Sequence, residues 1–324
     1  MTFIATIKAK KGVAIIADSL VTTTTKVLRS EKFLELLGTK QQGSGDAPIT
    51  FDANEIVSLF ESRKSHTKDY EEKLFKFGKY AAITTTGAAA INGKRIDEVV
   101  QAATPPLIKK GKTQKPIEEV NVDFKTAIAE EIAEHLTKFN EISSATVFYL
   151  THYIVSERKT RIFKLTVQVC EKAAYDAAPD DFLTLIEMHE GLPVICDGQN
   201  RMADRILYGD MNSTWTLIPK VIEKVVSDFG IAADQIPPDY AAKMLQDQSI
   251  VPSLNIDDIK FFKLTNLSLQ QAVDLGWLLM KIEKDFQKYT EEIPTVGGVI
   301  KVAVIDEGGF RFVSGDKIEV KDVY

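Results

Sequence analysis

Alternating apolar and polar positions predict several short β-strands in the first third of the chain. Residues 3–9 alternate apolar with small or polar side chains, and residues 13–17 form an apolar run after a turn sequence at residues 10–12. We therefore predict a β-hairpin at the start of the chain. Two further strands are predicted over residues 74–77 and 80–86, with a glycine turn between them.

An apolar repeat of four residues predicts a helix from Asp123, as its N-cap, to Phe139. The apolar face of this helix consists of Phe124, Ile128, Ile132 and Leu136. A second helix is predicted over residues 268–289, because Ser268 and Gln271 have the spacing of a capping box. Apolar residues cover most of its circumference, so we expect it to be largely buried. Shorter helices are predicted over residues 88–102 and 200–208.

The order of these elements predicts the fold class. Further strands are predicted over residues 146–155, 161–169, 192–196, 299–305 and 310–313. Runs of strands separated by runs of helices favour antiparallel α+β packing over alternating βαβ units. We predict two antiparallel sheets that face each other, with helices outside. Residues 23–72 and 210–265 fit this pattern poorly and are predicted to be insertions in a single domain spanning residues 1–324.

Composition excludes several classes of protein. The net charge of −6 argues against non-specific nucleic-acid binding, which needs a basic surface. No apolar run reaches the roughly 18 residues of a membrane span, and no secretory leader is recognisable. Cys170 and Cys196 are the only cysteines, so we expect a reducing cytoplasm and neither a disulfide framework nor a zinc site.

Motifs for metal, nucleotide and serine-hydrolase chemistry are missing from the sequence. The four histidines are scattered, at His66, His135, His152 and His189. No HExxH, GxGxxG, Walker A or GxSxG sequence occurs. We therefore predict no metal and no cofactor.

Thr2 is the strongest candidate for chemistry because it directly follows the initiator methionine. Methionine is normally removed before a residue as small as threonine, which would leave a hydroxyl and a free α-amine on one residue. A threonine hydroxyl is a poor nucleophile until a base lies beside it, and the amine can be that base. Many chains begin Met-Thr without such a role, so other residues must support the assignment.

Three segments resemble the proteasome-type N-terminal nucleophile hydrolases, a family that includes proteasome β subunits and their bacterial relatives. The first is Thr2 with residues 12–19, in which an acid, Asp18, falls sixteen residues after the nucleophile. The second begins at Lys73 and continues as strand, turn and strand to a glycine turn at Gly87. The third is the Thr-Val-Gly-Gly turn and strand over residues 295–305.

This resemblance implies a four-layer αββα sandwich and a peptidase or amidase. The Thr2 hydroxyl would attack a carbonyl, and the Thr2 amine would accept its proton. Lys73 would keep that amine unprotonated by like-charge repulsion, and Asp18 would balance the charge of Lys73. The N–H of Gly87 would line the oxyanion hole.

Substrate and partner expectations follow from the same resemblance. Thr22 matches the position whose backbone pairs with an extended peptide by strand addition, and Ala89 matches a substrate-binding position. The expected partner is a peptide or protein substrate, with a homo-oligomer as a further expectation.

Each assignment also has a plainer structural explanation. Asp18 can bind local N–H groups at a strand end, Lys73 can form a surface ion pair, and Gly87 can serve only as a turn. Lys32 and Lys76 compete with Lys73, although the spacing to Gly87 favours Lys73.

Two segments depart from the pattern of the family. Where the family has a serine-rich turn that supports the amine, this chain offers Asp197, Gln199 or Asn200. Near residues 293–296 the family has an acid and a serine, whereas Thr295 is the nearest hydroxyl here. A transpeptidase or amidase variant, and a catalytically silent module for binding or assembly, therefore remain alternatives.

Overall fold

A computed structural model describes residues 2–44, 50–68, 70–104, 116–208, 211–231, 264–290 and 293–314, together with Pro237, Tyr240 and Lys243. Its strands are β1 Phe3–Ala9, β2 Gly12–Ala17, β3 Val21–Leu28, β4 Phe60–Lys68, β5 Leu74–Lys76, β6 Ala81–Thr86, β7 Ala90–Ile91, β8 Lys94–Arg95, β9 Glu141–Ile142, β10 Thr146–Ile154, β11 Lys159–Val167, β12 Cys170–Glu171, β13 Leu183–Glu187, β14 Val194–Gly198, β15 Lys301–Asp306 and β16 Gly309–Ser314. Its α-helices are α1 Ser30–Ser44, α2 Ala53–Ser58, α3 Ile96–Ala103, α4 Ile117–Phe139, α5 Lys172–Ala177, α6 Pro179–Phe182, α7 Arg201–Tyr208, α8 Met211–Phe229 and α9 Leu269–Phe286.

Two five-stranded antiparallel sheets form the centre of the fold. The first sheet has the order β14-β1-β2-β15-β16, and the second has the order β13-β11-β10-β6-β5. Every pairing within them is antiparallel. The predicted α+β class with antiparallel sheets is therefore confirmed.

Three clusters of buried apolar side chains stabilise these sheets. One cluster mixes residues of both sheets, such as Ile15 with Tyr149. A second joins the first sheet to α7 and α9, and a third joins the second sheet to α3 and α4. The predicted apolar face of α4 lies in the third cluster and is almost completely buried. Burial of apolar area on this scale is the dominant favourable term in folding.

The N-terminal hairpin determines where the chemistry-bearing residues meet. The last pair in the register of β1 and β2 is Ile4↔Ala17. The next residues, Phe3 and Asp18, therefore lie side by side. The Asp18 N–H donates to the Phe3 carbonyl at 3.1 Å. The predicted hairpin is thus confirmed, and it brings Asp18 next to the start of the chain.

The prediction of a helix over residues 88–102 is wrong in its first half. Residues 90–95 form the small β7–β8 hairpin, and the helix α3 begins only at Ile96. Asn92 and Gly93 make the turn with φ values of 55° and 71°. Two consecutive positive φ angles at an Asn-Gly pair are typical of a type I′ hairpin turn, which overrides the helix propensity of the neighbouring alanines.

Two other helices differ from the sequence prediction. α4 begins at Ile117 after Pro116, so Asp123 lies inside the helix and is not its N-cap. The capping box of Ser268 and Gln271 at the start of α9 is confirmed. α9 is buried on one face only, however, because Trp277, Leu278 and Phe286 remain exposed. Its buried face includes Gly276, which allows close contact with Ile16 of β2.

The two segments predicted to be insertions contain regular structure where the structure describes them. β3 and β4 pair with each other in a two-stranded sheet, and α1 and α2 lie between them along the chain. Helix α8 covers residues 211–229 of the second segment. Apart from Pro237, Tyr240 and Lys243, residues 232–263 lie outside the described residues.

His152 of β10 is a buried histidine that belongs to the core and not to the candidate site. Its ring contacts Phe77 and Phe163 edge-on, and its Nε2 lies 2.8 Å from Asn121 Oδ1. Burial, together with the charge of Arg161, lowers the pKa of His152 from 6.5 to about 4.

We predict that this histidine makes the protein less stable in acid. Because its pKa is depressed in the folded state, its contribution is complete above pH 6.5 and is lost as the pH falls towards 4. The loss should reach about 3 kcal/mol of unfolding free energy. The substitution His152→Gln keeps a donor near Asn121 but cannot ionise, so it should flatten the pH dependence measured by urea unfolding between pH 7.5 and 4.5.

The matched control is His189→Gln, since His189 is exposed. That variant should retain the acid sensitivity of the wild type. Identical pH slopes for wild type and His152→Gln would contradict the assignment.

Candidate active site

A buried ion pair joins Asp18, at the end of β2, to Lys73, just before β5. Lys73 Nζ lies 2.8 Å from Asp18 Oδ1, and the exposed fractions of the two side chains are 5% and 0%. Lys73 Nζ also donates to the Leu20 carbonyl at 2.5 Å. The competing lysines, Lys32 and Lys76, are both exposed. Of the three candidates, only Lys73 therefore contacts Asp18.

The Asp18 carboxylate is surrounded by main-chain donors. Its Oδ1 accepts from Phe3 N at 3.0 Å, and its Oδ2 accepts from Gly297 N at 3.1 Å and Leu20 N at 3.3 Å. With Lys73, the carboxylate thus receives four hydrogen bonds from four segments of the chain. Such saturation is what allows a carboxylate to remain charged when it is buried.

Burial and pairing act in opposite directions on the pKa values of this pair. Burial raises the pKa of Asp18, while Lys73 and the backbone N–H groups of Gly297 and Phe3 oppose the rise. Burial lowers the pKa of Lys73, while Asp18 opposes the fall. Each charge is therefore maintained by the other, and removing one would make the other costly.

Thr2 is held at this site through its main chain. Its carbonyl accepts from Gln199 N at 2.5 Å, in the turn that follows β14. Phe3, the next residue, donates to the same Asp18 oxygen that Lys73 contacts. The residue itself is buried, with 4% of its surface exposed. The structure therefore places Thr2 one residue before a direct contact with the Asp18–Lys73 pair.

Gly198 allows the chain to approach Thr2 closely. Its φ is +86°, and a Cβ at this position would lie 1.9 Å from the Thr2 carbonyl oxygen. No L-amino acid with a side chain fits this position without displacing Thr2.

A polar network behind Thr2 involves residues that the sequence analysis assigned incompletely or missed. The Thr295 hydroxyl donates to Gln199 Oε1 at 2.5 Å. Gln287 Oε1 accepts from the N–H groups of Thr295 and Val296, while its Nε2 donates to the Glu283 carbonyl at 2.9 Å. The sequence analysis singled out Gln199 as one of three alternatives to the expected serines, and Thr295 as the hydroxyl nearest to the expected acid and serine. Gln287 carried no such signal, since a glutamine near the end of a helix is ordinary.

Gly87 lies one residue beyond the end of β6. Its φ is +104°, and a Cβ there would lie 2.1 Å from the Ala145 carbonyl oxygen. Thr85, two residues earlier, donates its N–H to the Lys73 carbonyl at 3.1 Å. The Gly87 turn is thus connected to Lys73 through the edge of the second sheet. A pocket lies beside this turn, and its lining includes Ala88 and Ile132 of α4.

The two predicted substrate-binding residues lie in different surroundings. Thr22 is half-buried in β3, and its hydroxyl donates to the Pro294 carbonyl at 3.3 Å. Ala89 is exposed before β7, where its carbonyl accepts from Ile96 N at 3.0 Å. Within the described residues, no hydrogen bond joins Thr22 or Ala89 to Asp18 or Lys73.

The described residues contain no group of three or more histidine, cysteine, aspartate and glutamate side chains placed to hold a metal ion. In the same part of the chain, no helix is both long enough and apolar enough to cross a bilayer.

We predict that Gly198→Ala is far more damaging than Gly93→Ala, although both glycines have a positive φ. An alanine at Gly93 meets nothing within 4 Å, so it should cost only the backbone strain of about 1 kcal/mol. An alanine at Gly198 must also displace the Thr2 carbonyl, which should raise the loss to about 3 kcal/mol or more. Urea unfolding of both variants tests this, and equal losses would contradict the close approach.

Comparison with known proteins finds similarity only to solved structures. No protein-family model matches this chain, and no curated protein matches it. A structure of the Anbu (Gly-1) mutant from Hyphomicrobium sp. strain MC1 is 12% identical, with 98% of this chain and 89% of that chain covered and a TM-score of 0.43. Anbu, described as an ancestral beta-subunit, from Yersinia bercovieri is 11% identical, with coverages of 97% and 88% and a TM-score of 0.42.

These comparisons correct the family assignment. The prediction that the chain belongs to the proteasome-type N-terminal nucleophile hydrolases is wrong, because the structures found are of Anbu, at identities of 12% or less and TM-scores of 0.43 or less. Similarity at this level shows neither the family nor the function of this chain. The chemistry of the site must therefore be argued from its own residues.

Proposed function

We propose that this protein is an amide hydrolase that cleaves peptide bonds through Thr2, after removal of Met1. One observation carries the proposal: the Lys73 ammonium and the Phe3 N–H share one oxygen of a buried aspartate, Asp18. A buried cation that shares an aspartate with the residue after Thr2 supports a role for Lys73 in the chemistry of Thr2. A lysine with only a structural role more often lies at the surface.

In the proposed first step, the Thr2 Oγ bonds to the substrate carbonyl carbon while its proton moves to the Thr2 amine. The negative charge on the former carbonyl oxygen accepts a hydrogen bond from the Gly87 N–H. The amine then gives the proton to the leaving nitrogen as the C–N bond breaks, which leaves an ester on Thr2. Water hydrolyses this ester with the amine again as base. If another amine replaces water, the same machinery becomes a transpeptidase.

Lys73 and Asp18 have distinct roles in this scheme. The Lys73 ammonium favours the neutral form of the Thr2 amine, because two like charges in a buried site repel each other. Asp18 holds Lys73 in place and balances its charge. While Met1 is attached, the Thr2 nitrogen is an amide and cannot act as a base, so removal of Met1 is the activating step.

The substrate would bind as an extended peptide along β3. Within the described residues, β3 has β4 as its only strand partner, so its other edge can accept a peptide strand near Thr22. Ala89 would contact the substrate on the far side of the Gly87 turn. The proposal includes the four-layer αββα arrangement, a single domain with two insertions, a cytoplasmic location and the capacity to form a homo-oligomer.

A catalytically silent module for binding or assembly is the second candidate. It is favoured by the contacts of Gln199, whose N–H binds the Thr2 carbonyl and whose side chain binds Thr295, where serines were expected to support the amine. In that case Met1 would be retained, or the Thr2 amine would be free but unreactive.

Labelling with a β-lactone probe tests the enzymatic function. Intact mass should show the loss of one methionine residue, and the probe should acylate Thr2 in the wild type but nothing in Thr2→Ala. Lys73→Met should slow acylation by about 100-fold or more, since general-base catalysis typically contributes about 10²–10⁴-fold. It should also move the pH midpoint of labelling upwards, because the amine loses its neighbouring cation.

Lys76→Met is the matched control. Lys76 follows Lys73 by three positions in the chain, and its side chain is exposed. This variant should be labelled at the wild-type rate. Retained Met1, or equal labelling of wild type and Thr2→Ala, would rule out the enzyme and favour the silent module.

A further inference from the structure

Lys301 is a buried cation outside the proposed catalytic group. It opens β15, is 4% exposed and pairs in register with Ala17, the residue before Asp18. Its ammonium forms an ion pair with Glu72, whose side chain is 13% exposed. The rings of Tyr70 and Phe312 lie 5.8 Å and 5.1 Å from the ammonium, so aromatic faces cover it.

The carboxylate that binds Lys301 is next to Lys73 in the chain. Glu72 also accepts from the Tyr70 hydroxyl at 2.9 Å, so both of its oxygens are engaged. The segment 72–73 therefore carries a negative and then a positive charge, and each charge meets its opposite on the first sheet. Glu72 meets Lys301, and Lys73 meets Asp18.

The neighbouring Glu71 fixes the other side of this segment. Its N–H donates to the Ser19 carbonyl at 2.8 Å, and its carboxylate lies 3.0 Å from Arg95 Nε. Three consecutive charged residues thus have separate partners on separate elements. A buried ion pair seldom adds net stability, because desolvation offsets the attraction, so its best-supported use is to fix an arrangement.

We infer that Lys301 and Glu72 are positioning residues for Lys73, an inference that rests on the proposed function. Lys301 engages the carboxylate that would otherwise compete with Asp18 for the Lys73 ammonium. Glu72 in turn engages the cation that would otherwise compete with Lys73 for Asp18. The correct pairing of these four charges keeps Lys73 on Asp18, which also binds the residue after Thr2.

A double-mutant cycle on the full chain tests this arrangement. Lys301→Met and Glu72→Gln should each slow acylation of Thr2 by the β-lactone probe by about 10-fold, because each leaves one buried charge to disturb the Asp18–Lys73 pair. The double variant should recover to within about threefold of the wild type, since it removes both competing charges. Lys301→Arg, which retains the cation, should also remain near the wild-type rate.

A second readout does not depend on activity. In protein labelled with ¹⁵N-lysine, the side-chain ammonium signal of Lys73 should shift in each single variant and return in the double variant. Lys125→Met, which removes a surface cation paired with Asp180, is the control and should change neither readout.

Several outcomes would overturn the inference. The inference fails if the single variants unfold at a lower temperature but react at the wild-type rate and leave the Lys73 signal unmoved. It also fails if the double variant is as slow as the two single effects combined. If Lys301→Met fails to fold, Glu72→Gln and the double variant still give the same comparison. If wild-type Thr2 is not acylated, the proposed function fails, and the Lys73 signal alone decides the positioning role.

Discussion

The buried carboxylate of Asp18 is the interaction on which the arrangement of this site depends. It binds the start of β1 through Phe3, the segment before β3 through Leu20, the turn before β15 through Gly297, and Lys73 before β5. Phe3, Lys73 and Gly297 are far apart in sequence, and their segments adjoin both five-stranded sheets. An uncompensated charge at this depth would cost several kcal/mol, so the surrounding main chain must keep its donors aimed at one point.

Close approach of main-chain atoms is the second constraint, and it explains why the sequence places glycines here. Gly198 and Gly87 both have a positive φ, and at both positions a Cβ would overlap a carbonyl oxygen. The site is therefore shaped by backbone groups with little freedom to move. A rigid frame of this kind is what a reaction needs when hydrogen-bond donors must be in place before charge develops.

The parts of this structure that were predictable from sequence are those encoded by neighbouring residues. The β1–β2 hairpin, the buried face of α4 and the capping box of α9 follow from local patterns. Asp18 and Lys73 were found through a resemblance whose family assignment is wrong, yet their contact is present. The positions of the two residues agree with the resemblance because each directly adjoins a strand that local patterning also predicted.

The parts that could not be predicted depend on contacts between distant residues. Thr295 and Gln199 are 96 positions apart, and Gln287 binds Thr295 from the end of a helix. No period or motif marks such a contact before the sheets have formed. The β7–β8 hairpin is a different case, because the Asn92-Gly93 turn signal was present but the alanines around it favoured a helix. The exposed face of α9 was also mispredicted, since apolar residues around a helix do not reveal which side meets the sheet.

The contacts of Gln199 and Thr295 near Thr2 affect which residues would control the proposed chemistry. The Gln199 N–H binds the Thr2 carbonyl, and Thr295 binds the Gln199 side chain, whereas hydroxyl groups beside the amine would stabilise its protonated form by accepting its hydrogens. In the proposed mechanism, the protonation state of the amine would then depend mainly on the electrostatic field of Lys73. That field would depend on the correct pairing of Lys73 with Asp18 and of Lys301 with Glu72. The most demanding part of the proposed site would therefore be the arrangement of these ion pairs and not Thr2 itself.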